Sequence, residues 1–327
     1  MRALVTGGAG FIGSHLSEAL VNRGDEVFVL DDLSTGRFEN IEHLGDRVTC
    51  VVDTTLNQDT VREMVREVDV VYHLAASVGV QLVVSQPTRT LINNIKGTET
   101  VLEETCRYRR RLLITSTSEV YGKGTKEIFY EHDDRVVGPT DRPRWGYAAS
   151  KAVDEYLAMA FWREKRHPVV ITRLFNTVGP RQTGRYGMVV PNFVRQALRN
   201  EPVTVYGDGK QTRCFAYVGD IVPALIGLMD RKDLSGAVFN VGNDESVTIE
   251  ELAHRVIART GSTSKVVLVP YEEAYGPGYD DMLHRRPSLE KIGAAIGYKP
   301  TTNLDQILDA VIADMRAREE RDGAPAT

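Results

Sequence analysis

Short apolar runs that alternate with amphipathic helical runs constrain the fold of this chain more than any other feature. The runs typical of strands cover 3–5, 27–30, 48–52, 70–74, 112–115 and 169–174. Strands so continuously apolar are typical of a parallel sheet that helices cover on both faces. The helix after the first run carries Ile12, Leu16 and Leu20 on one face and is expected to end near Gly24. We therefore predict an α/β fold with a doubly wound parallel sheet.

Composition and charge exclude several classes of protein. The 327 residues are 42% apolar and 26% charged, as in an ordinary globular enzyme, and no apolar run reaches the length of a membrane span. The net charge of -5 gives no general attraction to nucleic acid or membrane, so we expect neither partner. A first strand that starts at Arg2 leaves no room for a signal peptide, which favours a cytoplasmic protein. Cys50, Cys106 and Cys214 lack metal-ligand spacing and are expected to be reduced thiols, without a metal site.

A glycine-rich loop joins the first predicted strand to the first helix. The segment satisfies Gly-x-x-Gly-x-x-Gly from Gly7 through Gly10 to Gly13, and Gly-x-Gly-x-x-Gly from Gly8. Glycines at such a strand-to-helix turn allow a pyrophosphate to approach the helix N-terminus closely. The alternative is a glycine turn that only permits the helix to pack on the strand.

Acidic residues at the ends of the next strands refine this prediction. Asp31 ends the second predicted strand, where a carboxylate accepts hydrogen bonds from the adenosine ribose of a dinucleotide. It would repel a 2′-phosphate, and the first arginine after it is Arg37, so the sequence favours NAD over NADP. Asp53, which ends the third strand, could contact the adenine or form a plain strand-end turn. The loop and Asp31 together predict a Rossmann-type NAD site.

Beyond residue 174 the alternating pattern gives way to turn-rich sequence. We predict an NAD-binding domain over 1–175, to which 215–242 returns, and a smaller α/β substrate domain over 176–327. Within the second domain, residues 248–251 match a helix capping box, and apolar residues from Leu304 to Met315 form the stripe of the last helix. Residues 318–327 are expected to be a frayed tail.

A tyrosine and a lysine lie one helical turn apart. Tyr147 and Lys151 share a helix face, and a nearby ammonium stabilises a phenolate that can remove a proton from a sugar hydroxyl. Alone, this spacing is more typical of an exposed amphipathic helix, but the glycine loop favours the catalytic interpretation. Thr117, Ser118 and Glu119 follow the fifth strand at the carboxyl edge of the sheet, where ligands of open α/β folds bind. They could serve in catalysis, or form a hydroxyl-rich turn with a solvated glutamate.

With these residues assembled, the chain resembles the extended short-chain dehydrogenase/reductase superfamily of nucleotide-sugar epimerases, dehydratases and decarboxylases. The resemblance spans nearly the whole chain. Its marks are Gly7-Gly8-Ala9-Gly10-Phe11-Ile12-Gly13, His73-Leu74-Ala75-Ala76, Tyr147 with Lys151, Phe175-Asn176-Thr177, Gly179-Pro180-Arg181 and Tyr206-Gly207-Asp208-Gly209.

Within that superfamily the chain is most similar to UDP-glucuronic acid decarboxylases, including UDP-xylose synthases and the lipid A aminoarabinose branch. The turn that runs from Ser116 to Gly122 contains Glu119, which sugar 4-epimerases usually lack. Further likeness lies in 138–139 and 142–145 before Tyr147, in 213–215, and in 275–279 with 284–285. Two features depart from the pattern: Ser118 stands where UDP-apiose/xylose synthases have cysteine, and Gln182 where xylose synthases usually have methionine.

The resemblance implies a role for each site residue. Tyr147 and Lys151 would oxidise the sugar 4-hydroxyl with NAD, after which carbon dioxide leaves the 4-keto intermediate to give UDP-xylose or a UDP-4-keto-pentose. The implied catalytic set is Tyr147, Lys151, Thr117, Ser118, Glu119 and Arg213. The implied cofactor contacts are Gly7, Gly10, Phe11, Ile12, Gly13, Asp31, Asp53, Leu74, Ala75, Tyr147 and Lys151. The implied contacts to UDP-glucuronic acid are Asn176, Arg185, Tyr206, Arg213 and Arg285.

The resemblance also implies a homodimer in which two helices, around 87–107 and 147–163, pair across a four-helix bundle. The apolar residues of these two helices are equally compatible with packing on the sheet. The nearest alternative function is a UDP-hexuronate 4-epimerase or another nucleotide-sugar epimerase or dehydratase. An alternative of another class is a non-catalytic NAD-sensing protein, which has no need of Tyr147 and Lys151.

Overall fold

The structure is a computed structural model that describes residues 1–184, 187–276 and 281–323. The strands in chain order are β1 (Arg2–Thr6), β2 (Glu26–Asp31), β3 (Val48–Val52), β4 (Val70–His73), β5 (Arg111–Thr117), β6 (Ile128–Phe129), β7 (Val169–Leu174), β8 (Thr177–Val178), β9 (Val203–Tyr206), β10 (Thr212–Cys214), β11 (Ala216–Tyr217), β12 (Ala237–Val241), β13 (Ser246–Thr248), β14 (Val266–Val269) and β15 (Arg286–Pro287). The helices are α1 (Phe11–Arg23), α2 (Gln58–Glu67), α3 (Val80–Ser85), α4 (Pro87–Arg107), α5 (Arg144–Lys165), α6 (Val189–Leu198), α7 (Val218–Asp230), α8 (Ile249–Thr260), α9 (Tyr271–Tyr275), α10 (Glu290–Ile296) and α11 (Leu304–Gly323).

A seven-stranded parallel sheet forms the centre of the first half, in the order β12-β7-β5-β4-β1-β2-β3. The six strands predicted from the sequence are all present in it. Apolar clusters cover both faces, one including Leu16 and Leu20 of α1 and the other Val101 and Leu102 of α4. The prediction of a doubly wound α/β fold is confirmed.

The register of this sheet brings the chemistry-bearing strand ends together. Thr6 pairs with His73 of β4, and β2 ends on Asp31 beside β1. Strand order reverses around β1, which opens a crevice at the carboxyl edge where such folds bind ligands. Helix α1 starts from that crevice and ends, as predicted, on the left-handed Gly24 with φ 91°.

A second apolar core lies in the later part of the chain and includes Phe193, Leu252 and Leu308. The capping box is confirmed, because the Thr248 hydroxyl accepts a hydrogen bond from the Glu251 amide at 3.1 Å. Strand β12 and helix α7, within 215–242, pack with the first sheet and its core, and so does α10.

The expected frayed tail is wrong for 318–323, because α11 continues to Gly323. Arg318 forms an i,i+4 ion pair with Asp314 at 2.8 Å, and the intervening residues are strong helix formers. Residues 324–327 lie outside the described part of the chain. None of the helices within it combines the length and apolar character that a membrane crossing demands.

Candidate active site

A cleft of about 1080 Å³ opens at the carboxyl edge of the sheet and reaches toward the second core. It is lined both by the strand ends of the first half and by segments of the second half. From the sequence-predicted set it is lined by Gly7, Gly10, Phe11, Ile12, Gly13, Asp31, Asp53, Leu74, Ala75, Thr117, Ser118, Glu119, Tyr147, Lys151, Asn176, Tyr206, Arg213 and Arg285. Arg185 falls outside the described residues.

The glycine loop is shaped for close approach by a ligand. Gly7 has φ +71°, and a Cβ there would lie 2.8 Å from the Ala75 amide nitrogen. A Cβ on Gly13 would lie 2.0 Å from the Gly7 carbonyl oxygen. Gly10 precedes α1 without a side-chain cap, so the helix N-terminus keeps its first amides for an external anion such as a pyrophosphate.

Asp31 is buried beside this loop. Its carboxylate accepts hydrogen bonds from the amides of Ala9 and Leu33, each at 2.9 Å. Burial raises the pKa of Asp31, while these amide hydrogen bonds act to lower it. The carboxylate therefore ties the second strand to the glycine loop and also faces the cleft, where the residues fit the ribose and pyrophosphate of a dinucleotide.

Asp53 is engaged in a turn. One carboxylate oxygen accepts from the Thr54 amide at 2.7 Å, and the other accepts from Asn57 at 2.8 Å and from the Thr60 hydroxyl at 2.6 Å. These bonds support the start of α2. Asp53 still lines the cleft, but its hydrogen bonds favour the strand-end turn that the sequence left as an alternative.

The tyrosine and lysine both face the cleft from α5. Burial, and next the Glu119 carboxylate, raise the pKa of Tyr147 above its ordinary value, and a hydrogen bond with Thr117 and the charge of Arg285 offset only part of that rise. Lys151 is buried, with 2% of its surface exposed. Thr117 ends β5, and its hydroxyl also accepts a hydrogen bond from the Glu119 amide at 3.2 Å. The turn after β5 therefore holds the Thr117 hydroxyl beside the Tyr147 phenol. Tyr147, Thr117 and Lys151 thus line one cleft, and the raised pKa keeps the phenol neutral in the absence of a ligand.

Glu119 pairs with an arginine from the far end of the chain. Arg285 donates to the Glu119 carboxylate at 3.2 Å, and its other terminal nitrogen donates to the Asn176 side-chain oxygen. Asn176 in turn donates to the Cys214 carbonyl at 3.0 Å. Burial lowers the pKa of the Arg285 guanidinium, and the neighbouring charge of Arg213 acts in the same direction.

Sequence reasoning missed two members of this charged cluster. Asp281 accepts from Arg144 at 2.7 Å and from Arg213 at 2.8 Å. Burial acts to raise the pKa of Asp281, but the two arginines outweigh it and the pKa is lowered. Arg144 lies on α5, three residues before Tyr147, and that spacing was the available signal. We name Arg144, Arg213, Arg285, Glu119 and Asp281 the arginine–carboxylate cluster.

The remaining predicted residues have simpler surroundings. Arg181 donates to Glu18 of α1 at 2.5 Å, and its amide donates to Asp314 of α11 at 3.1 Å, so it links the two halves of the chain. Ser118 is buried at the start of the turn after β5. Tyr206 ends β9, and its carbonyl accepts from Gln211 at 2.8 Å.

The fold and this geometry define a Rossmann-type dinucleotide-binding protein whose cleft holds a tyrosine–lysine pair. The chain belongs to the NAD dependent epimerase/dehydratase family, whose model matches residues 3–242. This finding confirms the predicted superfamily and its NAD cofactor.

Relatives with similar sequences indicate which reaction within the family to consider. The chain is 39% identical over 319 residues to a UDP-N-acetyl-alpha-D-glucosaminuronate decarboxylase of Bacillus cytotoxicus, covering 97% of this chain and 98% of that protein. It is also 39% identical over 318 residues to UDP-glucuronic acid decarboxylase 4 of Arabidopsis thaliana, covering 97% of this chain and 69% of that protein. Both relatives are uronate decarboxylases by name.

A solved structure gives the same fold with bound ligands. UDP-glucuronic acid 4-epimerase from Bacillus cereus, in complex with UDP-glucuronic acid and NAD, aligns with a TM-score of 0.88 and 28% identity. The alignment covers 97% of this chain and 100% of that one. The fold is therefore shared by decarboxylases and epimerases, and the site must distinguish them.

Proposed function

We propose that this chain is an NAD-dependent decarboxylase of a UDP-hexuronate, with UDP-glucuronic acid as its substrate. The observation that carries the proposal is the arginine–carboxylate cluster beside Tyr147. Three guanidinium groups face two carboxylates there, which leaves one positive charge for the carboxylate of a uronic acid. The names of the decarboxylase relatives support the same reaction.

The first step of the proposed reaction uses Tyr147 as the base. As phenolate it accepts the proton of the sugar 4-hydroxyl, and the Lys151 ammonium stabilises the phenolate charge. NAD, when bound, supplies the acceptor for the hydride that leaves carbon 4. We assign to Thr117, whose hydroxyl hydrogen-bonds Tyr147, a hydrogen bond to the oxygen that becomes the ketone.

The second step breaks the bond to the carboxylate carbon. A 4-ketone is β to the carboxylate, so carbon dioxide leaves while the bonding electrons pass into an enolate, whose oxygen Tyr147 and Thr117 stabilise. A proton must then replace the lost carboxylate at carbon 5. Glu119, held by Arg285, and the buried Ser118 are the groups we assign to that proton transfer, with Arg213 orienting the carboxylate region. Asn176 and Tyr206 are assigned to the substrate.

The product depends on whether the hydride returns to carbon 4. Its return gives UDP-xylose, whereas release of the ketone gives a UDP-4-keto-pentose with the cofactor left reduced. A second candidate substrate is UDP-N-acetylglucosaminuronic acid, because the Bacillus cytotoxicus relative is named for it and matches over nearly its full length.

The decisive experiment incubates the purified protein separately with each UDP-uronate, with and without NAD, and follows the sugar nucleotide by mass spectrometry. Loss of the mass of carbon dioxide is the expected result, and NADH absorbance separates the two products. An unchanged mass with a new chromatographic isomer would instead support a 4-epimerase. No turnover of either substrate together with tight NAD binding would support an NAD-sensing protein.

We also propose that the protein is a homodimer and that it is cytoplasmic. Ile92 of α4 and Val153 and Tyr156 of α5 are exposed apolar side chains, which supports pairing of these helices across a homodimer. The three cysteines are free thiols, as in a reducing cytoplasm. We also propose the division into an NAD-binding domain over 1–175, with 215–242, and a substrate domain over 176–327.

A further inference from the structure

A buried carboxylate that the reaction scheme above does not use lies next to the active-site lysine. Asp154 follows Lys151 by three residues on α5, and its Oδ2 atom lies 2.8 Å from the Lys151 Nζ atom. The exposed fractions of the two side chains are 3% for Lys151 and 0% for Asp154. An ammonium group so far from water requires a partner, and this aspartate provides one.

The same carboxylate is otherwise poorly satisfied. Its Oδ1 atom is buried and forms no hydrogen bond of ordinary length and angle within the described part of the chain, although the Thr98 hydroxyl is near enough to act on the carboxyl group. Burial raises the pKa of Asp154, and the charge of Lys151 opposes that rise.

Behind Asp154 a buried polar chain leads back to the glycine loop. The Thr98 hydroxyl of α4 acts on Asp154 to lower its pKa, and it lies 3.1 Å from the Nε2 atom of His73. The other ring nitrogen of His73 lies 2.7 Å from the hydroxyl of Thr6, the last residue of β1. Burial lowers the pKa of His73 to about 3, so the ring is neutral and serves as a hydrogen-bonding link.

We propose that Asp154 is a positioning residue for the tyrosine–lysine pair, anchoring the Lys151 ammonium on the buried Thr98–His73–Thr6 chain and setting the charge balance around Tyr147. It acts through Lys151 and does not touch the substrate. The anchor ties the lysine to the strand end from which the glycine loop starts. Cofactor seating and the position of the ammonium are thereby coupled through one set of buried side chains.

The charges around Tyr147 affect the pH at which its phenol ionises. The groups that act on its phenol are Asp154 of α5, Thr117 and Glu119 of the turn after β5, and Arg285 from the second half. Lys151 lines the same cleft one helical turn away, and its charge acts on the neutral His73. Of these, Asp154 and Glu119 oppose ionisation of Tyr147. Removal of the Asp154 charge should therefore lower the pH at which Tyr147 ionises, even as the ammonium loses its anchor.

The experiment compares Asp154→Asn and Asp154→Glu with the wild type. For Asp154→Asn we expect the acidic limb of the kcat/KM profile to move down by about one pH unit, and the plateau of kcat to fall roughly tenfold. Asp154→Glu retains the charge at a changed distance, so its limb should stay in place while kcat falls. The tyrosinate absorbance of each enzyme minus its Tyr147→Phe counterpart gives a second readout without substrate, and it should appear at lower pH in Asp154→Asn.

Glu104→Gln is the matched control, since Glu104 is a buried, ion-paired carboxylate of α4 outside the cleft. It should lower thermal stability without moving the limb. If Asp154→Asn behaves in the same way, Asp154 is structural and the proposal is overturned. Should Asp154→Asn fail to fold, unchanged kcat in both Asp154→Glu and Thr98→Val would overturn it.

The activity assay rests on the proposed function, but the two ideas can fail separately. A wild type that turns over neither UDP-uronate removes the proposed function, while the tyrosinate titration still tests Asp154. If the wild type is active, and Asp154→Asn changes neither the acidic limb of the kcat/KM profile nor the tyrosinate absorbance, only the positioning role is removed.

Discussion

The glycine loop and the arginine–carboxylate cluster line the same cleft but are built in different ways. The loop is one contiguous segment whose shape is set by backbone sterics, as the 2.0 Å approach of a Gly13 Cβ to the Gly7 carbonyl illustrates. The cluster draws Glu119, Arg144, Arg213, Asp281 and Arg285 from segments far apart in the chain. Steric contacts determine the shape of the loop, whereas ion pairs hold the cluster together.

This difference assigns distinct tasks to the two regions. A loop whose glycines leave no room for a Cβ can recognise the phosphates shared by all members of such a family, but it carries no information on the sugar. A single substitution can change the net charge of the cluster, because its three arginines share only two carboxylates. We therefore expect the loop to determine whether cofactor binds and the cluster to determine what happens to the sugar.

The largest expected effect falls where the two regions meet. Tyr147→Phe removes the group that accepts the 4-hydroxyl proton, so turnover of UDP-glucuronic acid should fall roughly 10³-fold, within the usual range for a lost general base. The dissociation constant for NAD, measured by calorimetry, should stay within about twofold of the wild type. Retention of most of the turnover would remove Tyr147 from the mechanism.

The next effect tests the cluster alone. Glu119→Gln keeps the side-chain shape but loses the charge paired with Arg285, and release of carbon dioxide should fall roughly 10²-fold with NAD affinity unchanged. The measurement is carbon dioxide release against NAD titration in the same preparation. Glu272→Gln, at an exposed position of α9, is the control. Equal loss of NAD binding would contradict the separation of the two regions.

A smaller effect tests the loop alone. Asp31→Asn removes the carboxylate expected to accept ribose hydroxyls, so NAD should bind about tenfold more weakly, as for a lost charged hydrogen bond. NADP should bind better than it does to the wild type, since the repulsion of its 2′-phosphate is gone. Glu26→Gln, exposed at the start of β2, serves as control. Equal NAD and NADP affinity in the wild type would contradict the assigned preference.

The same contrast explains how much the sequence could predict. Local patterns decide the sheet strands, the glycine loop, the Gly24 helix end and the Thr248 cap, because each depends on neighbours within a few residues. Asp281 could not be found this way, since its partner Arg144 is 137 residues away and no spacing rule joins them. Asp53 could not be resolved either, because a strand-end carboxylate can serve a turn or a ligand equally well.

The extent of the last helix shows a different limit. Apolar periodicity ends at Met315, and the sequence beyond it carries charge without an apolar face. The helix continues because Arg318 pairs with Asp314, and because Arg199, the residue directly after α6, pairs with Glu319 at 3.3 Å. Such surface ion pairs are weak singly, and a periodicity argument does not count them.

The smallest effect concerns stability and separates two buried histidines from the arginine–carboxylate cluster by the pH at which each acts. Burial lowers the pKa of His73 to about 3 and of His167 to about 4, whereas an unfolded histidine titrates near 6.5. The unfolded state therefore binds protons that the folded state does not as pH falls below about 6.5, and stability decreases at about 1.4 kcal/mol per pH unit for each histidine. The lowered pKa of Asp281 contributes stability that is present above its ordinary value of about 4 and is lost only below it.

Between pH 6.5 and 5 the loss should therefore come from the buried histidines and not from the arginine–carboxylate cluster. Urea unfolding at both pH values should give His167→Asn a decrease about 1.6 kcal/mol smaller than that of the wild type, since His167 no longer titrates and its unfolded form is already half protonated at pH 6.5. His254→Asn, at an exposed position of α8, should match the wild type. Identical slopes for His167→Asn and the wild type would mean that His167 accepts a proton without unfolding, and the pH dependence would then belong to another part of the molecule.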